Sequence, residues 1–384
     1  MEEGEIAELP ENPWVSAVPG SIGEISAAGF YCARRIYDEK KIPIGLVLGA
    51  QGGATIESWM PSELLSKFGD YEDRIRPFLG RDTLKQYNEL RDHSIASWRE
   101  TLESPEDLER VDHIPEDAAD FAVPGMLLEK NGNGYTGIVW FYRDFELKNE
   151  PQEDAFLYLG NLIDADQAFI NGHAVGRIEY RYPPRKYPFN GSILRKGINR
   201  ITVRLLIENG SGGFVAEHPY YVRSGEETVD ITGTWKMSYG VKAKKPVPHF
   251  YMGQEVPTSL YRASVIPLKD YMFSGIWWYQ GEANSSDPER YKEKFSAMIG
   301  HWRSLYQQEL PVICIEMCDY TDPVTGETPS GWKEIQEQQI QAEKDVSKCK
   351  VVSAKDLYDP LDLHPQRKSE LGARMAEAVE KLFY

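Results

Sequence analysis

The sequence lacks the features that mark several common classes of protein. No apolar run is long enough to cross a bilayer, and the acidic stretch Met1 to Glu5 lacks the apolar core of a secretory signal. There is no long basic run and the formal net charge is −17, so we expect neither nucleic acid nor an anionic membrane as a partner. The four cysteines, Cys32, Cys314, Cys318 and Cys349, have no metal-ligand spacing, and we expect buried free thiols and no metal.

What is present suffices for two domains. The chain has 384 residues and a hydrophobic content of 41%, which allows a sizeable core. Its two ends alternate between helical and strand patterns, whereas its middle has the short alternating runs of an antiparallel sheet, with a hairpin signal at Asn171-Gly172. We therefore predict an α/β domain made of residues 1–108 and 241–384, with a β-sandwich inserted at residues 109–240.

Two apolar runs in the α/β part end in turn signals. Ile44 to Leu48 is predicted to be a strand that runs into a Gly52-Gly53 corner. Ile276 to Tyr279 is predicted to be a buried strand that ends in Gln280-Gly281-Glu282. Ligands collect at the carboxyl ends of strands in open α/β sheets, so these corners would border a pocket. The glycine pair lets the backbone turn with free N–H groups, which suits an oxyanion, but G-x-G-x-x-G is absent.

The remaining elements of the α/β part follow from the same periodicities. We predict a helix at residues 24–38, a helix at 287–306, a strand at 310–317, a helix at 332–343, a strand at 351–354 and a last helix from about Pro365.

One of the seven histidines has the neighbours that acid–base chemistry requires. The motif Asp362-Leu363-His364-Pro365 precedes the last predicted helix. In an extended loop, side chains two positions apart point to the same side, so either Asp362 would orient the imidazole of His364 or both side chains would face one pocket. A histidine that removes a proton from a hydroxyl group needs an acceptor for its other N–H. The alternative is an ordinary surface loop with a helix N-cap.

Several segments together resemble the sialate O-acetylesterase family of SGNH-type hydrolases. Residues 43–61 resemble the family's strand, Gly-Gly corner and Glu-x-Trp-Met segment. Residues 276–284 resemble its Trp-Tyr-Gln-Gly-Glu-x-Asn block, residues 291–303 the helix after it, and residues 362–365 its terminal catalytic motif. The middle of the chain resembles the sugar-binding, galactose-binding-like domain that such enzymes carry. The resemblance implies an SGNH-hydrolase-like doubly wound parallel sheet with an inserted β-sandwich.

The resemblance also implies a carbohydrate O-acetylesterase that hydrolyses acetyl esters on sugars by Ser-His-Asp chemistry. An acetylated sugar or oligosaccharide would be the substrate, and no cofactor is implied. His364 would be the general base and Asp362 its orienting carboxylate. Gly52-Gly53 and the side chain of Gln280 would donate to the oxyanion, and Glu282 would line the pocket or accept from a sugar hydroxyl group. An acetylxylan-type esterase of the same clan fits these residues as well.

The sequence departs from the family at the nucleophile. The family's serine lies in a Gly-Gln-Ser-Asn-Met-like motif after the first strand, and this motif and Gly-x-Ser-x-Gly are both absent. One hypothesis is that the chain is a truncated part of a longer protein, in which case a secretory signal would be missing as well. The other is a non-catalytic, carbohydrate-binding pseudoenzyme. As written, the chain is expected to be cytoplasmic. Ser21 is a candidate nucleophile, although no predicted strand precedes it.

Overall fold

A computed structural model describes most of the chain. The described residues are 14–78, 83–129, 134–216, 218–357, 362–364 and 366–383. They divide into two compact units. The α/β unit consists of Met1–Glu89, Phe250–Thr321 and Thr328–Tyr384, and the β unit consists of Leu90–His249 and Asp322–Glu327.

The helices belong mainly to the two ends of the chain. In the described residues they are α1 (Ala27–Lys40), α2 (Ser62–Leu65), α3 (Glu72–Ile75), α4 (Thr83–Glu100), α5 (Asp107–Asp112), α6 (Tyr291–Tyr306), α7 (Trp332–Asp345) and α8 (Lys368–Phe383). Two short 3₁₀ turns that border the candidate site lie at Ile56–Trp59 and Glu282–Asn284.

Most strands lie in the β unit. They are β1 (Ala119–Val123), β2 (Gly125–Leu127), β3 (Gly137–Leu147), β4 (Asp154–Leu159), β5 (Leu162–Ile163), β6 (Ala165–Ile170), β7 (His173–Ile178), β8 (Lys186–Asn190), β9 (Gly197–Ile207), β10 (Gly212–Phe214), β11 (Tyr220–Ser224), β12 (Glu227–Asp230) and β13 (Gly233–Lys242). The α/β unit contributes β14 (Ile276–Trp278), β15 (Val312–Glu316) and β16 (Cys349–Ser353).

The three strands in the described part of the α/β unit form a parallel sheet in the order β14-β15-β16. Val312 and Cys314 of β15 belong to the apolar cluster that contains residues of α6 and α7. Ile313 and Ile315 belong to the cluster that contains residues of α1 and α8. Helices cover both faces of the strand, which explains why its sequence is a continuous apolar run rather than an alternating one.

Most of the predicted elements of this unit are confirmed, with small shifts at their ends. Helix α1 and the strands β14, β15 and β16 lie where the periodicity predicted them. Helix α6 begins at Tyr291 and not at Asp287, because Arg290 has a left-handed backbone with φ of 56°. Helix α8 begins at Lys368; the predicted start, Pro365, lies outside the described residues.

The predicted strand from Ile44 to Leu48 is wrong. No strand is present there, and the side chains of Ile44, Val47 and Leu48 are 38%, 45% and 54% exposed. Extended backbone becomes a strand only when its N–H and C=O groups pair with a neighbour. Within the described part of the chain, no sheet includes this segment, and β14 pairs only with β15. The mixed α/β architecture is confirmed, and an SGNH-type order of strands stays a prediction.

The described part of the β unit forms three sheets, and the neighbouring strands in them are antiparallel. Their orders are β1-β13-β3-β9-β6-β7, β2-β10-β5 and β12-β11-β4-β8. Side chains from all three sheets form one apolar core, which includes Phe141, Leu157 and Phe214. The hairpin between β6 and β7 turns at Asn171 and Gly172, with φ of 47° and 81°. These positive values explain the Asn-Gly signal and confirm that prediction.

The other face of the six-stranded sheet is also covered. Trp98 of α4 and Leu102 pack on Ile138, Trp140 and Tyr142 of β3. The first six residues of β3 are therefore all buried, and the strand does not show the alternation expected of a sheet with one wet face.

The four cysteines are free and buried, as predicted, and all of them lie in the α/β unit. Among the described residues, no helix is long and apolar enough to cross a membrane. The same residues contain no group of three or more His, Cys, Asp and Glu side chains placed to hold a metal ion.

Candidate active site

Three segments leave the carboxyl ends of the parallel strands. Tyr279 and Glu282 follow β14, Cys318 follows β15, and the loop that carries Asp362 and His364 follows β16. Parallel strands place these ends at one edge of the sheet, where α/β proteins bind ligands. Glu282 and Asp362 both act electrostatically on the thiol of Cys318. The structure therefore brings Glu282 and Asp362, two of the predicted site residues, to the surroundings of one thiol.

The side chain of Gln280 is buried and fully hydrogen-bonded. Its Nε2 donates to the carbonyl of Ala54 at 2.9 Å and to Oδ1 of Asn284 at 2.7 Å. Its Oε1 accepts from the hydroxyl group of Tyr291 at 2.8 Å, and its main-chain carbonyl accepts from Nε2 of Gln339 at 2.8 Å. Both amide hydrogens are thus engaged by Ala54 and Asn284, which leaves neither for the oxyanion that Gln280 was predicted to bind. The side chain instead holds Ala54, the residue that follows the Gly52-Gly53 corner.

Asn284 extends this network to a buried ion pair. Its Oδ1 accepts from the N–H of Ile56 at 2.9 Å, and its Nδ2 donates to Oε2 of Glu57 at 3.0 Å. The other carboxylate oxygen of Glu57 accepts from Nζ of Lys294 at 2.8 Å, and both side chains of the pair are only 4% exposed. Burial alone would raise the pKa of Glu57, but the Lys294 ammonium and the hydrogen bonds outweigh it and lower that pKa.

The Gly52-Gly53 corner faces solvent. Both residues are exposed, and Gly53 has φ of 74°, a conformation that favours glycine. In the described ranges, no hydrogen bond engages the N–H group of either residue. Two adjacent free N–H groups on a fixed turn can bind an anionic oxygen.

Gln254 borders the same corner. A Cβ atom placed on Gly53 would lie 3.6 Å from Nε2 of Gln254. Gln254 belongs to the 3₁₀ turn Gly253–Glu255, and its loop is tied down where the N–H of Thr258 donates to the carbonyl of Glu57 at 3.0 Å. Its side chain is half-buried and makes no hydrogen bond to the residues that the structure describes. An amide group therefore lies next to Gly53.

Asp362 supports the loop that carries His364 by accepting from the main-chain N–H of that histidine. Oδ1 of Asp362 accepts from the N–H of His364 at 2.7 Å, and Oδ2 accepts from Nε2 of Gln366 at 2.8 Å. Partial burial of the His364 ring lowers its pKa; Asp362 opposes this change and Lys368 adds to it. The imidazole is therefore neutral at pH 7, the form that accepts a proton.

A lysine and a glutamate, whose charged forms are disfavoured by burial, lie beside this pair. Burial raises the pKa of Glu282 and lowers that of Lys368, at the first position of α8. Nζ of Lys368 lies 5.4 Å from the centre of the Tyr279 ring. Burial raises the pKa of Cys318 to about 12, so its thiol stays protonated at pH 7 and is a poor nucleophile.

Part of the chain is similar to a known family of esterases. Residues 251–381 match the family model described as carbohydrate esterase, sialic acid-specific acetylesterase. The matched stretch is about a third of the chain. It contains Gln280, Glu282, Asp362 and His364. No curated protein sequence matches the chain.

Solved structures give weak matches. A carbohydrate acetylesterase from Xanthomonas citri is 15% identical over 64% of this chain and 71% of its own, with a TM-score of 0.32. A β-glucuronidase from Bifidobacterium dentium is 23% identical over 26% of this chain and 17% of its own, with a TM-score of 0.23. A lectin from Pleurotus ostreatus is 17% identical over 34% of this chain and 39% of its own, with a TM-score of 0.24.

The candidate nucleophile Ser21 lies outside the stretch matched by the esterase model. Its hydroxyl group donates to the carbonyl of Ser16 at 2.5 Å, and Val18 makes further contacts with it. These interactions are local to a surface loop. Ser21 therefore holds its own turn, and its role as a nucleophile stays a prediction.

Sequence reasoning missed the residues that hold the corner in place, Glu57, Asn284 and Lys294. Lys294 offered a signal, because it lies on the apolar side of α6, between the buried residues Tyr291 and Met298. A lysine in an apolar stripe is expected to have a buried acidic partner. The identity of that partner, Glu57, could not be read from the sequence because the two residues are far apart in the chain.

Proposed function

We propose that the α/β unit hydrolyses acetyl esters on sugars, in the manner of a sialate O-acetylesterase. The observation that carries the proposal is the match of residues 251–381 to the family model of sialic acid-specific acetylesterases. That stretch contains the histidine and the three other side chains singled out from the sequence. An acetylxylan-type esterase is the closest alternative within the same chemistry. The SGNH-like sheet and the galactose-binding-like insert belong to this proposal.

His364 is the general base in this scheme. Its lowered pKa keeps the ring neutral and able to accept a proton from the attacking hydroxyl group. Asp362 keeps the loop of His364 in place by accepting from its main-chain N–H. The proton taken up by the ring then passes to the sugar oxygen that leaves as the acetyl ester breaks. Ser21 is retained as the candidate nucleophile for testing.

The Gly52-Gly53 corner stabilises the oxyanion in this scheme. Gln280 supports the corner from the protein interior, because its amide hydrogens are engaged by Ala54 and Asn284. We assign the second donor to Gln254, whose Nε2 borders Gly53. Loss of one oxyanion donor typically lowers kcat by about 10²–10³-fold. Glu282, half-buried at the same edge, accepts from a hydroxyl group of the sugar.

The test is hydrolysis of p-nitrophenyl acetate by the protein and two histidine variants. His364→Ala is expected to lower kcat/KM by about 10²–10⁴-fold, the usual contribution of a general base. His173→Ala, which removes an exposed histidine of β7, is the control and should leave the rate unchanged. Equal rates for the protein and His364→Ala would refute the proposal. The rate should fall only below the ordinary histidine pKa of about 6.5.

Substrate class is tested by acetate release from an O-acetylated sialic acid and from an acetylated xylo-oligosaccharide. A higher kcat/KM on the first substrate supports the sialate assignment, and the reverse order supports the acetylxylan type. Ser21→Ala is measured on the better substrate. Unchanged activity in that variant removes Ser21 as the nucleophile.

A further inference from the structure

Thr258 has a backbone conformation that threonine rarely adopts. Its φ is 70°, in the left-handed region, and the residue is only 3% exposed. Branching at Cβ makes a residue in this region a steric outlier. Such a residue stays there only where its surroundings hold it, and residues of this kind concentrate at functional sites. The conformation of Thr258 therefore needs an explanation in what it does.

The usual role of a threonine in front of a helix does not supply that explanation. Thr258 precedes a helical stretch that begins at residue 259, and its carbonyl accepts from the N–H of Arg262 at 3.2 Å. A threonine that caps a helix has an extended backbone, and its hydroxyl group accepts from an N–H of the first turn. Here Oγ1 of Thr258 is buried and has no hydrogen-bond partner among the described residues. Capping thus offers nothing that offsets the strain.

What the conformation provides is a bond to the candidate site. The N–H of Thr258 donates to the carbonyl of Glu57 at 3.0 Å. Glu57 lies in the 3₁₀ turn that follows the Gly52-Gly53 corner, and its carboxylate is fixed by Lys294 and Asn284. The left-handed backbone therefore attaches Thr258 to a part of the corner that is itself held in place.

The segment in front of Thr258 is cross-linked by its own hydrogen bonds. Oγ of Ser259 donates to the carbonyl of Gly253 at 2.8 Å. The N–H of Met252 donates to Oε2 of Glu255 at 2.7 Å, and the N–H of Glu255 donates to the carbonyl of Met252 at 2.8 Å. These bonds join the two ends of segment 252–259. The place of Gln254 within this segment therefore follows the place of Thr258.

We infer that Thr258 is a positioning residue for Gln254. Its left-handed backbone fixes segment 252–259 against Glu57 and thereby sets the amide group of Gln254 next to Gly53. This inference rests on the proposed role of Gln254 as an oxyanion donor. A donor that is in place before the reaction stabilises the oxyanion without reorganisation, and a misplacement of about 1 Å can lower the rate by about 10²-fold.

The first test observes Gln254 itself and does not depend on esterase activity. In protein labelled with ¹⁵N in glutamine side chains, the amide signals of Gln254 are assigned by their loss in Gln254→Ala. Thr258→Pro removes the N–H and sets φ to about −65°, so it should shift these signals. Thr258→Gly accepts the left-handed φ and should leave them in place. Unchanged Gln254 signals in Thr258→Pro would overturn the proposal.

The matched control for the proline variant is Lys348→Pro. Lys348 also has a left-handed backbone, with φ of 49°, but it precedes β16 and so lies at the opposite edge of the sheet from the candidate site. Lys348→Pro should not shift the Gln254 signals.

Thermal unfolding supplies a readout that holds even where Thr258→Pro does not fold. Glycine is not strained at a positive φ, so Thr258→Gly should raise the Tm, whereas glycine at an ordinary position lowers it. A lower Tm for Thr258→Gly would show that no strain is stored at this residue and would also overturn the proposal.

Kinetics on p-nitrophenyl acetate separate positioning from a general loss of structure. Thr258→Pro and Gln254→Ala should each lower kcat by about 10²–10³-fold with little change in KM, because the lost bond is made in the transition state. The double variant should be no slower than either single variant, since both changes remove the same donor, and Thr258→Gly should keep most of the rate. Losses that add in the double variant would contradict the inference.

The two readouts distinguish this inference from the proposed function. An inactive protein whose Gln254 signals respond to Thr258→Pro as expected would refute the esterase and support the role of Thr258 in placing Gln254. An active protein whose Gln254 signals do not respond would refute the role of Thr258 alone.

Discussion

Among the described residues, each unit has an ion pair whose two side chains are both buried, and the two pairs organise their surroundings in different ways. In the β unit, Arg185 pairs with Asp166 and donates directly to four main-chain carbonyls, three of them in the connection between β7 and β8. In the α/β unit, Lys294 contacts the carboxylate of Glu57, whose second oxygen binds Asn284. The arginine thus shapes a loop by itself, whereas the lysine neutralises an acid that is one member of a hydrogen-bond network.

The difference follows from the chemistry of the two cations. A guanidinium presents five N–H donors in a planar fork, and an ammonium is a compact point charge. The irregular loop of the β unit needs several donors at fixed angles. The corner of the α/β unit obtains its donors from amide side chains, Gln280 and Asn284, and needs only one charge to balance Glu57. Substitutions that exchange or remove these cations therefore test the comparison.

The largest expected effect is that of Lys294→Met. This change leaves the Glu57 carboxylate buried without its counter-charge, which typically costs about 3–5 kcal/mol. The free energy of unfolding, measured with urea, should fall by that amount. The control is Lys292→Met on the same helix, because Lys292 pairs with the half-exposed Asp345. Equal stability of the two variants would show that the buried pair does not support the unit.

A smaller loss is expected for Arg185→Lys. The ammonium keeps the charge opposite Asp166 but cannot reach four carbonyls in the geometry of the guanidinium, so we expect a cost of about 3 kcal/mol. The complementary exchange, Lys294→Arg, keeps the charge and adds volume in a packed site, for which about 1–2 kcal/mol is expected. A smaller loss of stability for Arg185→Lys than for Lys294→Arg would contradict the distinction between a planar guanidinium and a compact ammonium.

The pH dependence of stability distinguishes the contribution of the ionised Glu57 carboxylate from that of the hydrogen bonds around it. Its pKa is lowered in the folded state, so its stabilisation is complete above the unfolded pKa and is lost as pH falls through the folded one. The stability difference between the protein and Glu57→Gln should therefore shrink as pH falls below about 4.5, the ordinary glutamate range. Urea unfolding at pH 5.5 and at pH 3.5 measures this. A stability difference between the two proteins that grows as the pH falls would contradict this prediction.

The smallest effect is expected at Ile44 to Leu48, the segment of the α/β unit that was predicted to be a strand and that no sheet in the described part of the chain includes. Leu48 is 54% exposed, so Leu48→Ser should change stability by no more than about 0.5 kcal/mol. Val312 of β15 is fully buried, and Val312→Ala should cost about 2 kcal/mol. A loss for Leu48→Ser as large as that for Val312→Ala would mean that the segment is packed in solution.

The sequence predicted the strands of the α/β unit where local patterns determine them. Val312 to Glu316 is buried on both faces, and a short apolar run between turn signals is sufficient to find it. Ile44 to Leu48 has the same pattern and forms no strand. Pairing is a nonlocal property, and nothing within five residues tells whether a neighbouring strand is present.

The candidate site shows the same limit at the level of side chains. The spacing of Asp362 and His364 led to the prediction that the carboxylate orients the His364 ring, and that role stays a prediction. The carboxylate nevertheless accepts from the main-chain N–H two residues on. Aspartate often makes this local bond, which competes with a bond to the ring. Likewise, the engagement of both Gln280 hydrogens depends on Ala54 and Asn284, which only the folded chain brings together.

Because of where the four cysteines lie, the reactivity of their thiols reports the unfolding of the α/β unit. All four thiols are buried, and all lie in the α/β unit. A thiol-specific reagent should therefore remain unreactive with the native protein and modify it at the rate at which that unit opens. Unfolding confined to the β unit would leave the same reagent silent. Alkylation for different times, followed by mass spectrometry, would thus show which of the two units unfolds first, with no engineered label.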